Sequence, residues 1–255
     1  MIPKILHLCW LSGDPFPKDI QNCIDTWKYY LPDYEIWLWD KEKFDIESTL
    51  WTKQAYDSGK YAFAADYIRL YALYNYGGIY LDSDVIVYKS FDDLLNLPYF
   101  IGQAYERQFE PAIIGAERGL KWISDILERY KNRSFILEDG SLDTLSLPRV
   151  FYSVLKDKYS FYRLHSLEPY TYKDDIIYVF DQDFFNSRDC LEVRKTIKSY
   201  CAHNYAGSWT TPPKGIKAYI KKIMPKLLVK IYLNFTHNTI SKKRIRKFEP
   251  HFINE

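Results

Sequence analysis

The sequence predicts an α/β fold built around a parallel sheet. Two stretches carry that expectation. Residues 4–40 read as strand, helix, strand: an apolar run at Lys4–Leu11, a helical stripe of Ile20, Cys23, Ile24, Trp27 and Leu31, and a second apolar run at Glu35–Trp39. That spacing is a βαβ unit, whose two strands run parallel. Residues 61–87 then read as a helix ended by Gly77-Gly78 and followed by a short apolar strand closing on Asp82-Ser83-Asp84. In open sheets of this kind ligands bind beyond the carboxyl ends of the strands. Trp10, Trp39-Asp40 and the Asp82/Asp84 pair all fall at such ends.

Each element has a local reason. Ser12-Gly13-Asp14-Pro15 closes the first strand and Pro32 stops the first helix. Helices are expected at about Glu47–Ser58 and Tyr61–Tyr76, the second with Ala62, Ala65, Ile68, Ala72 and Leu73 on one side. Past Asp84 the pattern gives a strand at Val85–Tyr88, a short helix near Phe91–Leu97, and strands near Tyr99–Gly102 and Ala112–Ala116. Helices at Leu120–Tyr130 and Leu145–Lys156 follow, with Pro148 in the first turn of the latter. Ile176–Phe180 and Lys198–His203 read as late strands.

The 255 residues suffice for one α/β domain with a sizeable core, and 47% hydrophobic content argues against overall disorder. Aromatic residues make up 18%, mostly tyrosine, and the majority are expected simply to pack. Cys9, Cys23, Cys190 and Cys201 form neither a CxxC pair nor a zinc spacing, so free thiols in a reducing compartment are expected. The chain starts directly on a strand and contains no apolar run long enough to span a bilayer, which predicts a cytoplasmic protein.

Net charge is only +2, but residues 214–248 hold eleven Lys/Arg and no Asp or Glu, against 24 basic and 31 acidic residues in 1–213. Thr211-Pro212-Pro213 marks the break. We therefore read residues 1–211 as the globular domain and 212–255 as a basic amphipathic helical tail. Apolar residues at Ile216, Tyr219, Ile220, Ile223, Met224, Leu227, Leu228, Ile231, Tyr232 and Phe235 make one stripe, flanked by lysines. Such a helix either docks on an anionic membrane surface or packs its stripe on the domain. The acidic body argues against nucleic acid.

Chemistry concentrates at Asp82 and Asp84. Residues i and i+2 of a strand share a face, so the two carboxylates project together and repel unless a cation lies between them. Mn²⁺ or Mg²⁺ fits, because both favour carboxylate and phosphate oxygens. Asp66 and Arg69, at i and i+3, emerge as neighbours on the preceding helix. In an arbitrary helix they would form a surface ion pair of roughly 0–1 kcal/mol. Here the helix runs straight into the acidic strand end.

Four blocks carry a resemblance: Ile2-Pro3-Lys4-Ile5-Leu6-His7 with Trp10; Trp27 through Pro32-Asp33-Tyr34-Glu35 to Leu38-Trp39-Asp40; Ala64-Ala65-Asp66-Tyr67-Ile68-Arg69 through Gly77-Gly78-Ile79-Tyr80-Leu81-Asp82-Ser83-Asp84; and His203 with Ala206-Gly207-Ser208-Trp209. Over about residues 1–210 the chain resembles the sugar-binding-DXD glycosyltransferases (glycosyltransferase family 32). Bacterial capsular and exopolysaccharide transferases belong to that group, and clostridial toxin glucosyltransferase domains are distantly similar. The resemblance implies a GT-A type, Rossmann-like nucleotide-sugar-binding fold with a mixed central sheet. It implies that Asp84 binds the metal directly, that Asp82 contacts donor ribose and metal, and that Asp66 and Arg69 contact donor sugar hydroxyls. By the same resemblance Trp10 and Tyr80 lie at the donor, and His203, Ser208 and Trp209 close over the diphosphate, one of them completing the metal shell. The alternatives are that Trp10 is core and that His203 is a hydrogen-bonded structural residue. His7, in mid-strand, reads as structural.

The implied reaction is metal-dependent hexosyl transfer with retention, from a nucleotide sugar to a saccharide or lipid-linked saccharide acceptor. UDP-galactose, UDP-glucose and their N-acetyl forms fit, and GDP-mannose stays open. Competing readings are a glycoside hydrolase using Asp82 and Asp84 as acid and base, and a degenerate membrane-associated scaffold. The tail would place the enzyme on the inner face of the cell membrane.

Overall fold

The computed structural model describes residues 1–104, 107–168, 170–186, 195–205 and 248–255. The opening βαβ unit is present as β1 (Ile5–Cys9), α1 (Lys18–Tyr30) and β2 (Glu35–Trp39), with β1 and β2 parallel from Ile5↔Glu35 to Cys9↔Trp39. Helix α1 buries Ile20, Cys23, Ile24 and Trp27, the stripe its spacing dictates. Helices α2 (Leu50–Asp57) and α3 (Tyr61–Tyr76) follow, the first capped by the Thr49 side chain, which accepts from Thr52 N–H.

Gly77 ends α3 at φ +66°, and Gly78 starts β3 (Gly78–Leu81) at φ +103°. Both positions suit glycine alone. A Cβ on Gly78 would lie 2.7 Å from the Ile5 carbonyl oxygen and 3.0 Å from His7 Nε2. The absent side chain lets β3 slide in beside β1, in parallel register Leu6↔Ile79 and His7↔Tyr80. His7 is structural. Its ring spans Gly77 O (Nε2, 2.6 Å) and Trp39 Nε1–H (Nδ1, 3.0 Å), and burial pushes its pKa down to about 4.

The chain then leaves the main sheet. Asp82-Ser83-Asp84 is a tight turn, closed by Val85 N–H donating to Asp82 O at 3.0 Å. Strand β4 (Val85–Val87) belongs to a second, two-stranded sheet. The turn separates the two strands expected on either side of the Asp pair and sends them to different sheets. The two carboxylates therefore converge through the turn, not through strand alternation.

Strands β5 (Tyr99–Gln103) and β6 (Phe109–Ala116) form an antiparallel pair. Strand β6 begins three residues earlier than the sequence suggested, because Phe109 and Glu110 continue the pairing with Gln103 and Gly102. Helices α4 (Lys121–Glu128) and α5 (Leu147–Leu155) cover one face, with Pro148 in the first turn of α5. Strand β7 (Ser160–Leu164) was not expected. Its Ser, Tyr and Arg dilute the apolar signal, and only pairing with β8 (Ile176–Phe180) reveals it. The short helix α6 (Gln182–Phe185) was missed for the same brevity, and β9 (Cys201–His203) pairs antiparallel with β4.

The main sheet runs β2-β1-β3-β6-β5-β8-β7, with β6 antiparallel to both neighbours, so it is mixed as expected of a GT-A type fold. Residues 248–255 return to the body. Phe252 bridges Phe161 on the edge strand β7, Ile253 N–H donates to Phe161 O, and the Asn254 amide satisfies both backbone groups of Arg163. The expected amphipathic stripe and all of its lysines lie outside the described residues. No described helix is long and apolar enough to cross a membrane.

Candidate active site

Three elements converge where β3 ends. Helix α3 presents Asp66 and Arg69 on its buried side, the Asp82–Asp84 turn follows β3, and β9 brings in His203. The Asp66–Arg69 pair is no surface pair: Asp66 is 9% exposed and Arg69 5%. Arg69 is a hub. Its Nη2 lies 3.0 Å from Asp66 Oδ1 and 3.3 Å from Asp82 Oδ1, and its Nη1–H donates to Pro111 O at 2.9 Å. The guanidinium sits over the Tyr80 ring, 4.4 Å from its centroid. Tyr80 in turn donates its hydroxyl to Asp82 Oδ1 at 2.8 Å. Burial pushes the Asp66 carboxyl up to about 7 and raises Asp82, while Arg69 pulls both back. The Arg69 charge thus holds a group of acids that burial alone would neutralise.

His203 closes the site from the small sheet. Its Nε2 lies 3.3 Å from Asp84 Oδ1 and 3.9 Å from Asp82 Oδ2. Burial disfavours its charged form, but Glu110 and Asp84 outweigh that and hold its pKa well above the usual value. One ligand atom from each of Asp82, Asp84 and His203 lies within 4.8 Å of the others. Adjacent ligands on an octahedral ion with bonds of about 2.1 Å stand about 3 Å apart. The trio is close to that spacing. The residues fit a divalent cation.

Trp10 follows the carboxyl end of β1, beside β3. It is half-buried, donates Nε1–H to Asp14 O at 2.7 Å and packs edge-on against Phe16 with centroids 4.9 Å apart. Ser208 and Trp209 lie outside the described residues. A cavity of about 490 Å³ opens on the far side of the turn, lined by Asp19, Asn22, Cys23, Thr26, Asp84 and Asn204 among others. Sequence reasoning missed Glu110, Asn186 and Tyr205, which cluster behind His203. No motif marks them, since they come from a strand, a helix end and the stretch just after β9, which meet only in the fold.

Comparison with known proteins fits this geometry. Residues 17–101 match the family described as "Glycosyltransferase sugar-binding region containing DXD motif". That segment, about a third of the chain, holds α1, α3 and the acidic turn. Among curated relatives, the chain is 31% identical over 141 residues to inositol phosphoceramide mannosyltransferase 3 of Schizosaccharomyces pombe, covering 52% of this chain and 38% of that protein. It is 35% identical over 108 residues to mannosyl phosphorylinositol ceramide synthase CSH1 of Saccharomyces cerevisiae, covering 40% of this chain and 28% of that one. The matches span less than half the length of either relative. Both are fungal and neither is a capsule transferase, so the bacterial capsular affiliation finds no support among them. The PaToxG glycosyltransferase superposes with a TM-score of 0.47 at 22% identity, covering 61% of this chain and 69% of that one.

Proposed function

We propose that this chain is a metal-dependent, retaining glycosyltransferase that moves a hexose from a nucleotide sugar to a saccharide or lipid-linked acceptor. The observation that carries the reading is the meeting of Asp82, Asp84 and His203 with the buried Asp66–Arg69 pair at one strand end. Asp82, Asp84 and His203 would hold the cation, which when bound neutralises the diphosphate leaving group. Asp66 is an acceptor for donor sugar hydroxyls, and Arg69 places fixed positive charge where negative charge develops. Tyr80 orients Asp82. The two DXD carboxylates share one turn and one histidine, so they approach from a single side. A hydrolase pair would flank the scissile bond.

The names of the relatives bring mannose to the front of the donor panel and a phosphoinositol lipid to the acceptor panel. The basic stripe between residues 212 and 247 supports a peripheral position on the inner face of the cell membrane, in reach of a lipid acceptor. The test is nucleotide release from GDP-mannose, UDP-galactose, UDP-glucose and UDP-N-acetylglucosamine with Mn²⁺, Mg²⁺ or EDTA. At least one donor should turn over with metal, and EDTA and Asp84→Ala should each abolish it. Equal turnover by Asp84→Ala without metal would refute the scheme.

A further inference from the structure

We propose that Glu110 is a positioning residue that orients His203, so that the imidazole presents its Nε2 lone pair to the Asp82–Asp84 turn. The inference rests on the cation site proposed above and names what holds its nitrogen ligand in place. Glu110 lies on β6, 3% exposed, outside every motif in the chain. Three donors fix its carboxylate. Ala112 N–H reaches Oε1 at 3.2 Å, while Asn186 Nδ2 and the Tyr205 hydroxyl reach Oε2 at 2.5 and 3.0 Å. The remaining direction of Oε1 faces His203 Nδ1 at 3.3 Å.

Nδ1 is buried and has no aligned hydrogen-bond partner, so a modest ring rotation toward Glu110 would satisfy it. Tyr205 limits that rotation. Its ring lies against the imidazole with centroids 4.2 Å apart, and its backbone sits at φ +52°, a conformation few non-glycine residues adopt. The same tyrosine thus touches both the histidine and the carboxylate behind it. An imidazole that donates Nδ1–H to a fixed carboxylate leaves Nε2 as the nitrogen that gives up its proton to a cation, and Nε2 is the atom that faces Asp84 and Asp82. If Glu110 served only to satisfy Asn186 and Tyr205, it would affect folding and leave cation affinity alone.

The experiment is a titration of the purified chain with Mn²⁺ and no donor, reading free ion by electron paramagnetic resonance. Wild type, Glu110→Gln and Tyr205→Phe are compared, with thermal unfolding in EDTA as the check on folding. Glutamine keeps the size but turns an amide N–H toward groups that are themselves donors. Folded Glu110→Gln should bind Mn²⁺ about 10- to 100-fold more weakly, and Tyr205→Phe, which keeps the ring, should lose less. Folded Glu110→Gln within twofold of wild type overturns the proposal. Should that variant not fold, ¹⁵N resonances of His203 in the Cd²⁺-loaded wild type decide. Nδ1 protonated and Nε2 coordinated supports the proposal, and a cation on Nδ1 overturns it. Wild type that binds no Mn²⁺ overturns the cation site itself, whereas equal binding by wild type and Glu110→Gln overturns only the role of Glu110.

Discussion

Replacing Arg69 with methionine keeps bulk over the Tyr80 ring and removes the charge. The structure sets the size of the effect. Burial holds the Asp66 carboxyl up at about 7 with Arg69 beside it, so keeping Asp66 neutral at pH 8 costs on the order of 1 kcal/mol. That bounds what the lost charge adds through Asp66. The Pro111 carbonyl loses its donor, at about 1–3 kcal/mol, and Asp82 loses its partner at 3.3 Å. The total should reach about 3–5 kcal/mol at pH 8, the usual cost of breaking a buried pair. The sign of the pH effect follows from linkage. A carboxylate whose folded pKa is raised binds more protons folded than unfolded, so stability falls as pH rises from its unfolded value of about 3.9 to its folded value. For Asp66 that window ends near 7 in the wild type and extends higher in the variant. At pH 5 Asp66 already carries its proton in both, and the penalty should shrink to about 1–3 kcal/mol. Urea unfolding followed by tryptophan fluorescence at pH 5 and pH 8 measures both. A loss below 1 kcal/mol at pH 8, or a larger loss at pH 5, would show that Arg69 does not carry the buried acids.

Three further perturbations test the fold, the donor site and the basic segment. Gly78→Ala forces a Cβ against the Ile5 carbonyl at φ +103° and should cost about 2–4 kcal/mol in urea unfolding; a loss under 1 kcal/mol would mean β1 and β3 can part without consequence. Trp10→Ala should raise the donor KM roughly 10-fold with kcat nearly kept, as expected for lost stacking on a base, whereas a lower melting temperature with unchanged KM would make Trp10 core. Exchange of Lys217, Lys221, Lys222, Lys226 and Lys230 for glutamine should weaken affinity for anionic vesicles by about a thousandfold or more, five lysines near a charged surface each contributing about 1 kcal/mol. Undiminished binding would remove the basic segment from membrane contact.

The sequence revealed those parts of the molecule that depend on local pattern. Helix α1 was legible because its apolar residues repeat at 3 and 4, and the end of α3 because Gly77-Gly78 has few structural uses. The nearness of Asp66, Arg69, Tyr80, Asp82 and Asp84 was legible too, although strand alternation was the wrong reason for the last two. The turn at 82–84 arises because Val85–Val87 finds its partner in β9, about a hundred residues on, and no local signal reports that pairing. The depth at which Asp66 and Arg69 are buried was likewise hidden, because spacing sets neighbours and tertiary packing sets exposure. Glu110 lay beyond reach. A single glutamate in an apolar strand reads as an outward-facing position, and only donors brought in from distant segments by Asn186 and Tyr205 turn it inward.

The acidic turn is also a seam between two sheets. Asp82 directly follows a strand of the large one, while Asp84 directly precedes a strand of the small one, whose other strand carries His203. The separation of the three ligand atoms therefore gauges how the sheets sit against each other. Helix α1 sets that placement from behind, where Trp27 Nε1–H grips Val85 O at 2.7 Å and Thr26 Oγ1 accepts from Val87 N–H at 3.0 Å. A substitution at Trp27 or Thr26 should act on the site as a change of spacing. Its mark would be a shifted preference between Mg²⁺ and Mn²⁺, ions that differ in size and in the geometry they tolerate.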